Sequence, residues 1–437
     1  MILTMDFKPK FDFIEELQWR GLLHDSFPGT QELLNKEKVI GYIGFDPTAD
    51  SLHIGNMVPI MLLTLFQKAG HQPIALVGGA TGMVGDPSGK NAERQLLSDD
   101  VLKHNLNAQK LQLQKFLDFN NEQNAAQLVN NYDWFKHFGF LEFIRDVGKH
   151  ITVSYMMSKD SVKNRLEAGG LSFTEFSYQL VQGYDFVHLY KNFGCKIQMG
   201  GSDQWGNITT GTELIRRMEG GEAFAITTPL VTKSDGTKFG KSEGGNIWLD
   251  PKKTSPFRFY QFWLNISDED AVKFVKIYSL QSRDSIEVAI KNHIGNEHLR
   301  GLQKFLAEEL TIRVHSQEDF ENAVKATNVF FGNGSADDLA ALNLSTLESS
   351  LDGFEKWTIN REVLQQGVNI LDLITQHTSV FPSKAEAKKL MSSNGFALNK
   401  NKISDISFTI QLEHALLQKY FILQKGKKQY FVVEIVS

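Results

Sequence analysis

The sequence predicts an α/β fold: a Rossmann-like, doubly wound parallel sheet, then an α-helical domain, then a small α+β domain. As far as residue 232, short apolar strands alternate with helices, the pattern of βαβ units. From Pro256 to about Leu351 the periodicity is helical and strand signals nearly vanish. Beyond Phe381 a lysine-rich segment ends in the alternating strand Tyr430–Ile435.

The bulk composition is that of a globular protein of two or three domains. The chain has 437 residues, 41% hydrophobic and 22% charged. No apolar run reaches the roughly 18 residues of a membrane span, and the N-terminus lacks a signal or transit pattern. We therefore expect a cytoplasmic protein without membrane association. Cys195 is the only cysteine, which excludes an intramolecular disulfide and a thiolate zinc cluster.

The predicted domain division follows these changes of character. It consists of an N-terminal domain at 1–232, a mobile loop at 233–250, a helical domain at 251–360, a connector at 361–380 and a basic domain at 381–437. The Gly/Ser-containing stretch Gly332–Asp337 interrupts the helical pattern and is either a loop or a boundary.

The N-terminal domain is organised around Tyr42–Asn56, which reads YIGFDPTADSLHIGN. The apolar run Val39–Phe45 predicts a buried strand, and a polar turn then leads to His53 at the start of the helix Met57–Ala69. Backbone N–H groups and the positive end of the helix dipole favour a phosphate there. The strand–turn–helix therefore predicts a nucleotide site.

The remaining elements continue the alternation. A second buried strand completes a βαβ unit, and function is expected at the carboxyl ends of the strands. The predicted strands are Pro73–Val77, Leu128–Val129 and Cys195–Met199. The predicted helices are Asp99–Phe119, Leu141–Val147, Ser158–Leu166, Phe173–Tyr190 and one that runs from the turn Gly200–Trp205 to Arg217.

A Gly-flanked segment, Lys238-Phe239-Gly240-Lys241-Ser242, places two lysines three residues apart in a loop without periodicity. Two ammonium groups on a movable loop suit a triphosphate whose charge shifts during reaction. Together with the upstream turn His53–Asn56 (the HIGN turn), this spacing favours a nucleotide-binding role over a run of solvated charges.

These motifs resemble the two signature motifs of class I aminoacyl-tRNA synthetases. The flanking sequence resembles that of the bacterial-type tyrosyl-tRNA synthetases. The matching segments, in order, are YIGFDPTADSLHIGN, LVGGATGMVGDPSGK, NNYDW, FTEFSYQLVQGYDF, GGSDQWGNIT, DGTKFGKSEGG and WLDPKKTSPFRFYQFW. The resemblance implies ATP-dependent activation of L-tyrosine and its transfer to the 3′ end of tRNA(Tyr).

The resemblance also implies a tyrosine pocket. Tyr178, Gln182 and Asp185 fall on one face of the predicted helix, at i, i+4 and i+7. In the family, the residues matching Tyr42 and Asp185 bind the phenol. Those matching Asp86, Tyr178 and Gln182 hold the ammonium end, and Gln204 contacts the substrate.

For ATP, the resemblance implies a nucleotide-binding set and a charged set. The binding residues are Gly44, Asp46, Thr48, His53, Gly55, Asn56, Gly201, Asp203 and Lys241. The catalytic residues are Thr48 and His53 at the γ-phosphate side, with Lys90, Arg94, Lys238 and Lys241 as a mobile cationic clamp. No protein nucleophile is implied, and Mg²⁺ accompanies ATP without a dedicated protein metal site.

Two positions depart from the family pattern. Asn56 stands where the family motif usually ends in a second histidine, and its amide still donates a hydrogen bond. Pro59 suits the first turn of a helix, where its missing N–H costs nothing. We expect activity to survive both.

The C-terminal segment resembles a small RNA-binding module. From Ser383 to Ser437 nine lysines face four acidic residues, a net charge of +5, although the whole chain carries −5. Such asymmetry favours a nucleic-acid-facing tail on an acidic body. By resemblance the chain is a homodimer.

Two alternatives stay open. Tryptophanyl-tRNA synthetase shares the signatures, but an indole offers only a donor and needs no pair like Tyr42 and Asp185. A non-catalytic RNA-binding relative could lose His53 or the signature lysines, and this chain keeps them.

Overall fold

The structure is a computed structural model that describes residues 7–86, 88, 97–167, 170–237, 239–242, 245–426 and 429–436, with residues 99, 241 and 242 described as backbone only. The chain forms two compact units. The first comprises Met1–Asp250 with Ile266–Val314, and the second Pro251–Asn265 with His315–Ser437. None of the described helices combines the length and apolar character that crossing a membrane requires.

A six-stranded sheet forms the centre of the first unit. Its strands are β1 Asp25–Ser26, β2 Ile40–Phe45, β3 Gln72–Val77, β4 Gln127–Asn130, β5 Cys195–Gly201 and β6 Phe224–Thr228, in the order β1-β6-β5-β2-β3-β4. All neighbours are parallel except β1, which pairs antiparallel with β6. The chain winds outward from β2 in both directions, so the strand order reverses between β2 and β5. This confirms the predicted doubly wound sheet, whose ligand crevice lies at such a reversal.

The sheet is buried because its strands are apolar on both faces, as parallel strands covered by helices require. Ile74, Leu76 and Cys195 are almost fully buried and share one core cluster with Phe186 and Leu189 of a covering helix. Cys195 is thus a small core residue. Burial raises the pKa of its thiol well above the usual range.

Helices pack on both faces of this sheet. In the first unit they are Phe13–Arg20, Thr30–Lys36, Met57–Ala69, Thr81–Val84, Asp99–Leu113, Tyr132–Phe135, Phe140–Asp146, Val153–Met157, Asp160–Glu167, Phe173–Phe193, Trp205–Glu219, Asp268–Tyr278, Arg283–His293 and Gly301–Val314. Short 3₁₀ turns occupy Ile54–Asn56, Gly148–His150, Ser202–Gln204 and Glu297–Leu299. A two-stranded ribbon joins β7 Lys241–Ser242 to β8 Gly245–Asn246.

Two helices illustrate how the sequence sets their ends. Met57–Ala69 has the predicted bounds and ends at Gly70, whose φ of 111° suits glycine. The helix predicted to run from Asp99 to Phe119 instead ends at Leu113. Beyond the helix, the Gln67 side-chain amide accepts the N–H of Asp118 and donates to its carbonyl, so both backbone groups of Asp118 are bonded outside a helix.

The second unit combines helices with a five-stranded sheet. The helices are Pro256–Leu264, Gln317–Phe331, Ala336–Ala340, Leu344–Ser350, Arg361–Gln365, Ile370–Asp372 and Lys384–Ser392, with a π turn at Leu373–His377 and a 3₁₀ turn at Leu412–His414. The strands are β9 Glu355–Asn360, β10 Val368–Asn369, β11 Phe396–Leu398, β12 Asn401–Lys402, β13 Thr409–Ile410, β14 Tyr420–Lys425 and β15 Gln429–Val436. The sheet order is β12-β11-β14-β15-β9, and β10 pairs with β13.

Parts of the predicted division look different in this unit. β9 pairs in parallel with β15, so residues 355–360, predicted as helical domain, belong to the C-terminal sheet. The segment predicted as a connector contributes Leu364, Ile370 and Leu373 to the same core. Of the stretch Gly332–Asp337, residues Gly332–Ser335 form a loop after the helix Gln317–Phe331, and Ala336 and Asp337 begin the helix Ala336–Ala340. The domain boundaries themselves stay predictions.

Candidate active site

A cleft of about 540 Å³ opens at the carboxyl ends of β2 and β5, where the strand order reverses. The structure brings most of the predicted site residues together in its lining. These are Tyr42, Gly44, Asp46, Thr48, Gly55, Asn56, Asp86, Tyr178, Gln182, Asp185, Gly201, Asp203 and Gln204.

The closed end of the cleft is formed by Tyr42 and Asp185, each only 1% exposed. The Tyr42 hydroxyl has no hydrogen-bond partner among the described residues. Asp185 accepts hydrogen bonds from Asn131 Nδ2 at 3.0 Å and from Trp134 Nε1 at 2.9 Å. Burial raises the pKa of the Asp185 carboxyl to about 8, against the lowering effect of these two donors. An orphan hydroxyl beside a costly buried carboxyl indicates a polar ligand group.

Asn131 and Trp134 were not predicted as site residues, although both lie in the NNYDW motif. Asn131 also bonds Thr81 Oγ1 at 3.1 Å, and its Oδ1 accepts the N–H of Ala80. Thr81 in turn donates to Asp46 Oδ1 at 2.8 Å. A polar chain therefore joins Asp185 to Asp46 across the floor of the cleft. A polar motif beside a predicted strand end was the available signal.

The middle of the cleft is held by one face of the helix Phe173–Phe193. A capping box of Ser172 and Glu175 starts this helix. Its Tyr178 hydroxyl donates to Asp46 Oδ2 at 3.1 Å, and Gln182 Oε1 is buried without a partner among the described residues. The predicted i, i+4, i+7 face thus points into the cleft.

Asp86, which also lines the cleft, is 7% exposed and accepts hydrogen bonds from two side-chain amides. Gln204 Nε2 donates to Asp86 Oδ2 at 2.8 Å and Asn207 Nδ2 to Oδ1 at 3.4 Å. Asn207 was not predicted, and it lies in the GGSDQWGNIT motif.

The charged side chains in the described part of the cleft lining are all acidic. Asp46, Asp86, Asp185 and Asp203 contribute carboxyl groups, and no Lys, Arg or His is among the described lining residues. Such a field favours a cationic group, such as an ammonium, near the centre of the cleft.

The outer end of the cleft contains the HIGN turn. His53 lies beside the cavity, where its Nδ1 accepts the N–H of Gly55 at 3.0 Å and its own N–H donates to Asn56 Oδ1 at 3.0 Å. A Cβ at Gly55 would lie 2.8 Å from the His53 ring, so this position requires glycine. Asn56 therefore has a structural role in the turn, which accounts for an amide at this position.

Phe239 and Gly240, from the loop between the two lysines of the KFGKS motif, lie near the same turn. Phe239 packs against Phe274 and Tyr278, at centroid distances of 4.3 and 5.6 Å. A Cβ at Gly240, whose φ is 104°, would lie 3.1 Å from the Gly55 nitrogen. Lys90, Arg94 and Lys238 lie outside the described residues, and Lys241 is described only as backbone in β7.

Comparison with known proteins agrees with this geometry. The family model for tRNA synthetases class I (W and Y) matches residues 34–332. The model for the tyrosine–tRNA ligase SYY-like C-terminal domain matches residues 349–433.

Similar curated proteins and a solved structure point the same way. Tyrosine–tRNA ligases of Bacteroides thetaiotaomicron and Cytophaga hutchinsonii are 56% and 57% identical to this chain, each over 97% of it and 99% of the relative. A C-terminally truncated mitochondrial tyrosyl-tRNA synthetase of Aspergillus nidulans is similar in structure, with a TM-score of 0.65 and 32% identity. That match covers 72% of this chain and 92% of the other. The chain therefore belongs to the class I tRNA synthetases of the W and Y family and, within it, to the tyrosine–tRNA ligases.

Proposed function

We propose that this protein activates L-tyrosine with ATP to form tyrosyl-adenylate and then transfers the tyrosyl group to the 3′ end of tRNA(Tyr). The observation that carries the proposal is the pair of Tyr42 and Asp185 at the closed end of the cleft. A phenol hydroxyl both donates and accepts hydrogen bonds, which fits a carboxyl group beside a hydroxyl. The names of the relatives support the same activity.

In this proposal the substrate tyrosine lies along the cleft with its phenol at Asp185 and its ammonium near Asp86, Tyr178 and Gln182. The acidic residues of the lining stabilise the ammonium, and Gln204, which also lines the cleft, contacts the substrate. The substrate carboxylate is then directed towards the HIGN turn, where the triphosphate binds.

Activation follows from positioning. The tyrosine carboxylate attacks the α-phosphorus of ATP, the bond to the β-phosphate oxygen breaks, and pyrophosphate leaves. A tRNA 3′-terminal hydroxyl then attacks the tyrosyl carbonyl carbon, loses its proton and releases AMP. The protein holds the reacting groups in line and stabilises developing charge at phosphate, without a protein nucleophile.

For the nucleotide, we propose that Gly44, Asp46, Gly55, Asn56, Gly201 and Asp203 form the binding surface. Thr48 and His53 serve the γ-phosphate, and Lys90, Arg94, Lys238 and Lys241 supply its positive charge. Three of these four cations lie outside the described residues. Magnesium enters with ATP and neutralises part of its phosphate charge. The described residues hold no group of three or more His, Cys, Asp and Glu side chains suited to a metal ion.

We also propose a homodimer, supported by large apolar side chains that are exposed on the first unit. Phe140, Leu141, Val153 and Phe173 are 65%, 79%, 66% and 68% exposed. An exposed apolar surface of this kind marks a protein interaction site. Leu141→Glu should shift the species seen by sedimentation velocity from dimer to monomer, whereas Leu299→Glu, at another exposed leucine, should not. A monomeric wild type would refute this part.

For tRNA, we propose that the C-terminal domain binds RNA backbone through exposed lysines. Lys388 and Lys389 are exposed on the helix Lys384–Ser392. Replacing both lysines by glutamate should weaken tRNA charging and reduce its dependence on salt. Pyrophosphate exchange should stay unchanged. Equal loss in both assays would contradict this role. The location we propose is the cytoplasm.

The decisive experiment is amino-acid-dependent exchange of pyrophosphate with ATP. Tyrosine should support exchange, and tryptophan and phenylalanine should support far less. A preference for tryptophan would indicate a tryptophanyl enzyme. Absence of exchange with every amino acid, together with tRNA binding, would indicate a non-catalytic RNA-binding relative.

A further inference from the structure

His188 lies outside the cleft, three residues beyond Asp185 on the helix Phe173–Phe193. Its imidazole stacks on the indole of Trp134, with ring centroids 4.3 Å apart and planes 14° apart. The stack is close to parallel, and it joins two segments more than 50 residues apart in sequence. His188 is half-buried, and burial lowers the pKa of its ring, so the neutral form stacks at neutral pH.

Trp134 connects this stack to the cleft. Its Nε1–H donates to Asp185 Oδ1 at 2.9 Å. An indole N–H lies in the plane of its ring, so whatever fixes the ring plane also fixes the direction of this hydrogen bond. The indole is thus held by two side chains of the same helix, a carboxyl group at its edge and an imidazole on its face.

The orientation of the Asp185 carboxyl group depends on the direction of the hydrogen bond from Trp134. Asn131 donates to Oδ2 and Trp134 to Oδ1, so the two donors together set the plane of the carboxyl group. A buried carboxyl that loses one donor is both destabilised and free to rotate. The rotation would move the oxygen that faces the substrate.

The surroundings of His188 are aromatic. The ring centroids of Tyr184 and Phe193 lie 6.5 and 6.3 Å from that of His188. Among the described residues, neither of these two rings stacks on Trp134. Both therefore fill space around His188, whereas His188 is the ring that lies flat on the indole.

We propose that His188 is a positioning residue for tyrosine selection, which fixes the plane of Trp134 and through it the Asp185 carboxyl that binds the phenol hydroxyl. This inference rests on the proposed function, because it takes Asp185 as the residue that contacts the substrate.

The kinetic test uses His188→Ala, with His188→Phe as the variant that keeps a stacking ring and Phe193→Ala as the matched control. In pyrophosphate exchange, His188→Ala should raise KM for tyrosine about tenfold and leave KM for ATP within about twofold, since only one substrate contacts Asp185. Its preference for tyrosine over phenylalanine should fall. His188→Phe and Phe193→Ala should stay within about threefold of the wild type. A parallel rise in both KM values in His188→Ala would overturn the proposal.

A second readout needs no catalysis. In protein labelled with ¹⁵N-tryptophan, the indole resonance absent from Trp134→Phe belongs to Trp134. It should move towards the position of an indole without a hydrogen bond in His188→Ala and stay in place in His188→Phe. An unmoved resonance in His188→Ala refutes the positioning role. If the wild type failed to exchange with tyrosine, the proposed function would fall, while this resonance would still decide whether His188 orients Trp134.

Discussion

Replacing Asp185 by alanine removes the acceptor at the closed end of the cleft. Asp185 is 1% exposed, and its carboxyl group accepts two hydrogen bonds, from Asn131 at 3.0 Å and Trp134 at 2.9 Å. Tyr42 would remain as the polar group facing the phenol. The perturbation is therefore local, and its effects on binding and on folding have separate causes.

For tyrosine activation, the variant loses the hydrogen bond between the carboxyl group and the phenol, worth about 0.5–1.5 kcal/mol, and leaves the phenol hydroxyl partly unpaired at about 1–3 kcal/mol. Rejection of phenylalanine by tyrosyl-tRNA synthetases is a known example of such discrimination. Together these two contributions predict that kcat/KM for tyrosine falls about 10- to 1,000-fold. KM for ATP should stay near that of the wild type.

For folding, the contributions oppose each other. Each donor left unpaired costs about 1–3 kcal/mol, and removal of a buried carboxyl with a pKa near 8 offsets part of that cost. We expect a melting temperature lowered by a few degrees and an intact far-UV circular dichroism spectrum.

Pyrophosphate exchange and thermal unfolding measure the two effects on the same preparation. Asp284→Ala, at an exposed aspartate of the helix Arg283–His293, is the control and should match the wild type in both. Normal tyrosine activation by Asp185→Ala would remove Asp185 from the substrate pocket. Loss of activity together with loss of the folded state would show a structural role instead.

Three further predictions concern stability and the nucleotide end. Because the folded pKa of Asp185, about 8, lies above its ordinary 3.8, the folded state holds a proton that the unfolded state has released. As the pH rises from about 5 to 7, the free energy of unfolding should therefore fall by about 1 kcal/mol per pH unit relative to that of Asp185→Asn. Denaturant titrations that give the two proteins the same pH dependence would refute this. Gly55→Ala should displace the His53 ring and raise KM for ATP about tenfold with KM for tyrosine unchanged, an effect that steady-state exchange measures. Glu309→Ala should cost about 3 kcal/mol in urea unfolding, because Glu309 bonds Ser279, Leu280 and Arg313, whereas its exposed neighbour Glu308→Ala should cost little; equal costs would contradict the argument.

Much of the site could be predicted from local sequence. Apolar runs separated by helical periodicity predict a parallel sheet, since only strands covered on both faces are apolar throughout. The HIGN turn follows from a strand, a polar turn and a helix start in succession. The common face of Tyr178, Gln182 and Asp185 follows from helical spacing alone. Each of these inferences concerns residues that are close in sequence.

The tertiary structure alone decided which distant residues meet. Asn131 and Trp134 reach Asp185 because β4 lies beside β3 in the sheet, an order that periodicity does not encode. Likewise β9 belongs to the C-terminal sheet because it pairs with β15, some 75 residues later in the chain. Sequence patterns report the burial and period of each segment, whereas partners across a sheet are selected by the packing of the whole fold.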